Sequence, residues 1–240
     1  MRFLLPTRIP KFDFQFQLLA SQDYWTNFKE NPLTLVFDDN IYPMLDRTTC
    51  CPVGSLEFCA AHGIKTLPRN IPPQLKPYAV GPIAETRAEL GEDSWYVKSS
   101  TKIKHPRNGN WAGNDPEFPF ADHEFQAVKY IEFGFESEWR CFVFNDGLVD
   151  MQNYAGDLWT LPDKGTIEHM IYDFEHTPGS NCPPAYTLDV GVYEGKTYVI
   201  EVHDFYSCGT YNFNDHYRLP SMLWTWWQWY RASEAKKGQV

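Results

Sequence analysis

The residues with the clearest chemical potential lie in a predicted β-hairpin over 186–202. If the turn of this hairpin is 194–196, Asp189 lies directly opposite Glu201, and His203 lies on the same face of the sheet. Two carboxylates about 5 Å apart repel each other unless a cation lies between them. Carboxylate oxygens held on a sheet suit Mg²⁺ bound together with nucleotide phosphates. The same pattern also fits a solvated polar face on which the two carboxylates splay apart.

A set of basic residues precedes this hairpin. Lys98 closes a short strand that is otherwise apolar, and Arg140 lies in a second, largely apolar strand. Between them, Lys102 and Lys104 lie in a predicted loop over 101–119 that contains glycines. Along the chain, a strand lysine, a basic loop, a strand arginine and the carboxylate pair follow one another, as expected for a set of contacts to phosphates and a metal. The alternatives are solvated charges for the lysines and an ion pair with a neighbouring acid for Arg140.

Several common motifs are absent or incomplete. The segment 191–197 contains glycines and a lysine, but its spacing is one residue short of a P-loop and strands flank it on both sides. The sequence has no Gly-x-Ser-x-Gly, His-Glu-x-x-His or Gly-x-Gly-x-x-Gly motif, which excludes the common hydrolase, zinc-protease and dinucleotide fingerprints. Cys50, Cys51, Cys59 and His62 could hold zinc, but they lack Cys-x-x-Cys pairing, so core or surface thiols are favoured.

Composition restricts the class of protein. The 240 residues are 43% hydrophobic and 17% aromatic, which is enough apolar surface for a sizeable core. A formal net charge of -10 disfavours binding to nucleic acid. No apolar run approaches the roughly 18 residues of a membrane span. The apolar stretch within residues 1–10 is too short for a signal peptide. With six cysteines and no glycosylation sequon, we expect a cytoplasmic protein with reduced thiols.

The elements that must position these residues can also be predicted. Alternating apolar residues predict a strand over 12–18, and an apolar run predicts another over 33–37. A helix is predicted over 55–62, ending at Gly63. The proline-rich stretch 68–82 is typical of an extended connector. We therefore expect a small N-terminal α/β subdomain over 1–85. The remainder, 86–240, is predicted to be rich in strands and to end in a Trp-rich helix over 220–232 with an apolar stripe.

Five segments carry a resemblance to a known family. They are YVK at 96–98, QAVKYI at 126–131, EWRCFV at 138–143, LDVG at 188–191 and VIEVH at 199–203. Their order resembles the ATP-grasp superfamily, especially its small RimK-like branch of bacteria and phages. The resemblance covers about 95–211, and PVGSLEF at 52–58 is similar to the N-terminal part of that branch.

The resemblance implies an α+β ATP-grasp fold, in which two β-rich lobes clamp ATP and a small N-terminal α/β part packs on them. It implies that Lys98 contacts ATP phosphate or adenine and that Arg140 holds phosphate oxygens. Lys129, Tyr130 and Ile131 would form the hinge against the adenine. Asp189, Glu201 and the position of His203 would carry Mg²⁺.

One residue departs from the family pattern. The family usually has Asn after Glu-Val, whereas this chain has His203 followed by Asp204. Imidazole is a poorer ligand for Mg²⁺ than an amide oxygen. Either Asp204 or water substitutes, or Mn²⁺ is used, or the second metal site is weak.

The implied function is an ATP-dependent ligase that joins a carboxylate to an amine through an acyl phosphate and releases ADP and phosphate. Peptides and proteins are among the candidate substrates. The alternative is an ATP-binding assembly factor that does not ligate, similar to the eukaryotic cell-division-cycle ATP-grasp relatives. A third, weaker hypothesis is a carbohydrate-binding or glycoside-cleaving protein, suggested by the aromatic residues and the acids.

Overall fold

The computed structural model describes residues 1–7, 13–29, 33–38, 50–64, 70–100, 105–129, 134–205, 208–213 and 215–237. In chain order the elements are β1 (Arg2–Leu5), α1 (Asp13–Phe28), β2 (Thr34–Phe37), β3 (Cys51–Pro52), α2 (Leu56–Ala61), β4 (Ile83–Ala84), α3 (Arg87–Leu90), β5 (Trp95–Ser99), β6 (Gly109–Trp111), β7 (Phe125–Lys129), β8 (Ser137–Phe144), β9 (Gly147–Gly156), α4 (Lys164–His176), β10 (Ala185–Tyr193), β11 (Lys196–Asp204) and α5 (Leu219–Lys237). A 3₁₀-helix covers Pro73–Tyr78.

The chain forms two compact units. The first contains 1–66, 183–186 and 204–240, and the second contains 67–182 and 187–203. The division predicted from the sequence fell at residue 85. The observed units instead place 67–85 with the strand-rich part and α5 with the N-terminal elements.

The first unit is built on a three-stranded parallel sheet with the order β2-β1-β3. Helix α2 begins where Ser55 accepts a hydrogen bond from the N–H of Phe58, and Gly63 follows it with φ of 80°, as predicted. The six apolar residues of the stripe on α5 are buried. They are Leu219, Met222, Leu223, Trp226, Trp227 and Tyr230.

The strand predicted over 12–18 is wrong, because helix α1 begins at Asp13. Alternation over seven residues is too short to exclude a helix. The continuation of the segment carries the helical signal, since Leu18, Ser21 and Trp25 are buried and are spaced by three and four residues.

The second unit contains two four-stranded sheets, with the orders β4-β7-β5-β6 and β11-β10-β8-β9. In the first of these, β5 pairs antiparallel with β7 so that Tyr96 faces Val128 and Lys98 faces Gln126. The alternate residues of both strands, such as Val97 and Ala127, point into a hydrophobic core. Strand alternation therefore leaves Tyr96, Lys98, Gln126 and Val128 together on the opposite face.

Several local predictions in this unit require correction. Strand β6 lies inside the predicted loop 101–119, and the proline-rich connector 68–82 contains the 3₁₀-helix. Helix α4 was not predicted, although Asp163 caps it and Ile167, Met170 and Ile171 have helical spacing. No helix of the described part of the chain is long and apolar enough to cross a membrane.

The β10–β11 hairpin has a shorter turn than predicted. Its turn is the two residues Glu194 and Gly195, with φ of 49° and 68°. Positive φ at both central residues is the geometry that matches the twist of a tight hairpin. The predicted turn 194–196 is therefore one residue too long. Despite this difference, Glu201 and His203 on β11 remain buried together with Asp189 on β10.

Candidate active site

Three neighbouring strands place a row of charged side chains on one sheet face. The order β11-β10-β8 brings Arg140 of β8 next to Asp189 of β10. The guanidinium donates two hydrogen bonds to the Asp189 carboxylate, from Nε to Oδ1 at 2.8 Å and from Nη2 to Oδ2 at 2.7 Å. Both side chains are almost fully buried. A bidentate pair of this kind holds both groups in a defined orientation.

The row continues on β11 and reaches the other sheet of the same unit. Nε2 of His203 lies 3.2 Å from Oδ2 of Asp189 and 2.5 Å from Oε1 of Glu201. The second oxygen of Glu201 accepts a hydrogen bond from Nζ of Lys98 at 2.6 Å. Lys98 belongs to β5, so this ion pair joins the two sheets. Lys98, Arg140, Asp189, Glu201 and His203 are called the charged row below.

The buried carboxylates are held in their ionised form. Burial raises the pKa of Asp189, but its interactions with Arg140 and His203 outweigh that effect, and the pKa lies below the ordinary value. Burial also raises the pKa of Glu201, and the Lys98 charge with the His203 hydrogen bond again produces a net decrease. Each acid is therefore paired with a cationic side chain of this chain, Glu201 with Lys98 and Asp189 with Arg140. A solvated face with splayed carboxylates is excluded, because Asp189 is 2% and Glu201 is 9% exposed.

A pocket of about 420 Å³ adjoins the charged row. Both sheets of the second unit line it, and Lys98 and Glu201 lie at its polar side. Its apolar lining residues are Ile71, Val80, Tyr96, Val128, Phe135, Val199 and Ile200. A mainly apolar cleft with a few convergent charges is the usual form of a small-molecule site.

Four lining residues that carry a polar group were not singled out from the sequence: Tyr96, Gln126, Glu138 and Tyr154. Burial, followed by the charges of Asp189 and Glu138, raises the pKa of Tyr154 well above the ordinary value. The Tyr154 ring also lies under the Arg140 guanidinium, 5.8 Å from its carbon. Tyr96 and Gln126 could have been found from strand alternation, since each lies two residues from a pocket residue on its own strand.

Gln126 positions one wall of the pocket. Its Oε1 accepts a hydrogen bond from the N–H of Ile71 at 2.7 Å, and its Nε2 donates to the carbonyl of Ile71 at 3.0 Å. The adjacent Asn70 carbonyl accepts a hydrogen bond from the N–H of Val202 on β11. The proline-rich segment is thus tied to both sheets.

The remaining predicted residues are distributed as follows. Lys129 lines the pocket and forms an ion pair with Asp93, with its Nζ 5.4 Å from the Trp95 ring centroid. The other four predicted nucleotide contacts lie outside the described residues. They are Lys102, Lys104, Tyr130 and Ile131.

The donor atoms suit a divalent cation. One ligand atom each from Asp189, Glu201 and His203 can be chosen so that all lie within 4.8 Å of one another. His203, rather than Asp204, supplies the third atom of this group. Two carboxylate oxygens and one imidazole nitrogen form a mixed donor set that metal ions use in proteins.

The fold and this site define a protein of the ATP-grasp class. The family model described as ATP-grasp domain, R2K clade family 2, matches residues 95–218, a range that contains the whole charged row. The chain therefore belongs to the R2K clade of ATP-grasp proteins. No curated protein sequence matches the chain.

Solved structures share the fold across nearly the whole chain. The D-alanine–D-alanine ligase of Bacillus anthracis complexed with ATP is similar with a TM-score of 0.56 and 12% identity, covering 98% of this chain and 99% of that one. D-cycloserine synthetase is similar with a TM-score of 0.57 and 11% identity, covering 93% and 98%. A RimK-domain ATP-grasp protein of Sphaerobacter thermophilus is similar with a TM-score of 0.52 and 11% identity, covering 95% and 98%. These structural similarities show the α+β ATP-grasp fold and confirm the fold class predicted from the sequence.

Proposed function

We propose that the protein is an ATP-dependent ligase that joins a carboxylate to an amine and releases ADP and phosphate. The observation that carries the proposal is the charged row, two members of which, Lys98 and Glu201, line the pocket, in a chain of the ATP-grasp family. The solved relatives named as ligase and synthetase support the same class of reaction. Because the sequence has six cysteines and no glycosylation sequon, we further propose that the protein works in the cytoplasm.

The pocket offers separate environments for the two ends of ATP. The adenine would lie among the apolar residues, with 129–131 as the hinge beside it. The phosphates would extend toward Lys98 and Arg140. Lys102 and Lys104, which follow Lys98 in the chain, would add positive charge to the same end.

The proposed reaction has two balanced steps. A carboxylate oxygen of the first substrate attacks the γ-phosphorus of ATP, the bond to the ADP oxygen breaks, and an acyl phosphate forms. The nitrogen of the amine then attacks the acyl carbon, the bond to phosphate breaks, and the amine loses a proton. Lys98 and Arg140 would stabilise the negative charge that moves between phosphate oxygens, and the pocket would align the reactants.

Asp189, Glu201 and His203 would hold the metal, which, when bound, screens the phosphate charge. In the free protein the two acids and the two cations of the row neutralise each other, apart from His203. Bringing in ATP and a divalent ion together therefore allows a partner exchange. Lys98 and Arg140 would then pair with the phosphates, and Asp189 and Glu201 would pair with the metal, so that no buried charge would be left unpaired.

Binding and turnover measurements test the proposal in sequence. Mg-ATP at about 100 times its dissociation constant should add about 2.7 kcal/mol to the free energy of unfolding. An unchanged thermal unfolding midpoint at millimolar Mg-ATP would contradict nucleotide binding. ADP release that requires both a carboxylate and an amine from a substrate panel would support the ligase. Tight ATP binding with a stable protein complex and no turnover would instead support the assembly-factor alternative.

A further inference from the structure

We propose that Tyr154 is a positioning residue for Arg140, and that its ring keeps the guanidinium aimed at the phosphates once they displace Asp189. The inference rests on the proposed function for the presence of a nucleotide in the pocket. Tyr154 lies in none of the five segments that resemble the family, so its role follows from the geometry of this chain alone.

A β-bulge sets the direction of the Tyr154 side chain. Ala155 of β9 faces Glu138 of β8, and Asn153 faces Trp139. Tyr154 is therefore an extra residue between two consecutive pairs. The Asn153 amide closes the bulge, because its Nδ2 donates to the carbonyl of Glu138 at 3.2 Å and to that of Ala155 at 3.0 Å. An inserted residue of this kind re-aims a side chain, and here Tyr154 lines the pocket.

Tyr154 and Asp189 hold different parts of the Arg140 guanidinium. Asp189 accepts hydrogen bonds from Nε and Nη2, which lie at the edge of the planar group. The guanidinium carbon lies over the Tyr154 ring, 5.8 Å from its centroid. The negative face of an aromatic ring attracts a guanidinium and leaves the N–H groups at its edge for hydrogen bonds. The two supports therefore act together in the free protein.

Bound phosphate would change only one of these supports. Phosphate and carboxylate oxygens compete for the same N–H groups, because both bind a guanidinium through its edge. Nη2 of Arg140 also lies 3.2 Å from Nε2 of His203, so this edge is crowded before any nucleotide enters. The Tyr154 ring does not use the N–H edge, and it stays in contact while phosphate replaces Asp189.

The ring is itself held in place. Burial, followed by the charges of Asp189 and Glu138, raises the pKa of Tyr154, so the hydroxyl keeps its proton and donates a hydrogen bond to Glu138. Arginine is among the side chains that are most costly to order. A fixed ring that orders Arg140 in advance therefore lowers the entropic cost of binding phosphate.

Titration calorimetry with Mg-ATP and with adenosine separates this role from a packing role. Tyr154→Leu should weaken Mg-ATP binding about tenfold, the cost of ordering one long side chain, and should leave adenosine binding unchanged. Tyr154→Phe keeps the ring and should bind both ligands like the wild type. The control Tyr172→Leu changes a tyrosine of α4 that is 61% exposed and should also bind both ligands like the wild type.

Two results of these titrations would overturn the inference. Equal weakening of Mg-ATP and adenosine in Tyr154→Leu would make Tyr154 only a wall of the pocket. A loss in Tyr154→Phe as large as in Tyr154→Leu would assign the effect to the hydroxyl and not to the ring. If the wild type binds neither ligand, the proposed function fails, and the variants are titrated with inorganic triphosphate. Equal binding by Tyr154→Leu and Tyr154→Phe, or no binding, would then overturn the role of Tyr154 by itself.

Nuclear magnetic resonance tests the contact without turnover. A nuclear Overhauser effect between the guanidinium protons of Arg140 and the ring protons of Tyr154 should be present in the free wild type. It should persist when a non-hydrolysable ATP analogue is added. Absence of the effect in the free protein, or its loss on addition of the analogue, would show that the ring does not hold Arg140 in the nucleotide complex.

Discussion

Replacing Glu201 with Gln should change ATP affinity in opposite directions with and without metal. In the free protein Nζ of Lys98 lies 2.6 Å from Oε2 of Glu201, and the two side chains are 24% and 12% exposed. ATP that binds without metal must draw Lys98 away from this carboxylate and leave Glu201 poorly paired. In Glu201→Gln this competition is largely removed, because a neutral amide oxygen binds the ammonium less strongly.

The size of the effect follows from the hydrogen bond that is exchanged. A hydrogen bond to a charged group contributes about 1.5–3 kcal/mol net, and a neutral one about 1 kcal/mol. The difference of about 0.5–2 kcal/mol predicts that metal-free ATP binds about 2- to 30-fold more tightly to Glu201→Gln. With Mg²⁺ present, the variant lacks a charged ligand, and Mg-ATP should bind about tenfold more weakly or worse.

Isothermal titration in chelator and in excess Mg²⁺ measures both affinities. Glu168→Gln is the matched control, because it removes the same charge from an exposed pair with Lys164 on α4. Its two affinities should equal those of the wild type. If Glu201→Gln shifts both affinities in the same direction, or shifts neither, then Glu201 does not alternate between Lys98 and a metal, and the partner exchange is refuted.

Three further predictions concern the same unit. Lys98→Met should keep the fold but weaken Mg-ATP binding about tenfold, the loss of one interaction worth about 1.4 kcal/mol; an unchanged dissociation constant by titration would make Lys98 a structural charge only. The pKa of Glu201 is lower in the folded protein than in the unfolded chain. The ionised carboxylate therefore stabilises the fold at pH values above the ordinary glutamate pKa of about 4, and this stabilisation is lost as the pH falls further. The free energy of unfolding, measured with urea between pH 7 and 3, should therefore fall less steeply toward low pH in Glu201→Gln than in the wild type. Equal slopes in the two proteins would contradict this. Gly191→Ala places a Cβ about 2.4 Å from the Phe135 ring in the pocket wall, which should cost about 1–3 kcal/mol of stability and weaken nucleotide binding. Gly165→Ala in α4 is the control and should be neutral or stabilising by chemical denaturation.

Much of the candidate site could be predicted from the sequence. A lysine closing an apolar strand, an arginine within another and acids alternating with valines are local patterns, and strand alternation determines which side chains share a face. This is why Lys98, Arg140, Asp189 and Glu201 could be selected before any contact was known. The same local logic located the cap of α2 and the buried stripe of α5.

Other features depended on parts of the chain that are distant in sequence. Alternation over a few residues did not distinguish helix α1 from a strand, because the burial that decides between them comes from tertiary packing. Helix α5 belongs to the N-terminal unit because it contacts α1 and β3. Sequence order alone had placed it with the strands that precede it.

The state of the carboxylates was decided by tertiary structure alone. With the turn predicted at 194–196, Asp189 and Glu201 form a repelling pair that requires a cation from elsewhere. The strand order β11-β10-β8 supplies Arg140 to one acid, and strand β5 supplies Lys98 to the other. The local sequence thus determined where the charges lie along each strand. Only strand order and sheet packing determined which charges meet, because electrostatic pairing depends on distance in space and on burial, neither of which a single strand contains.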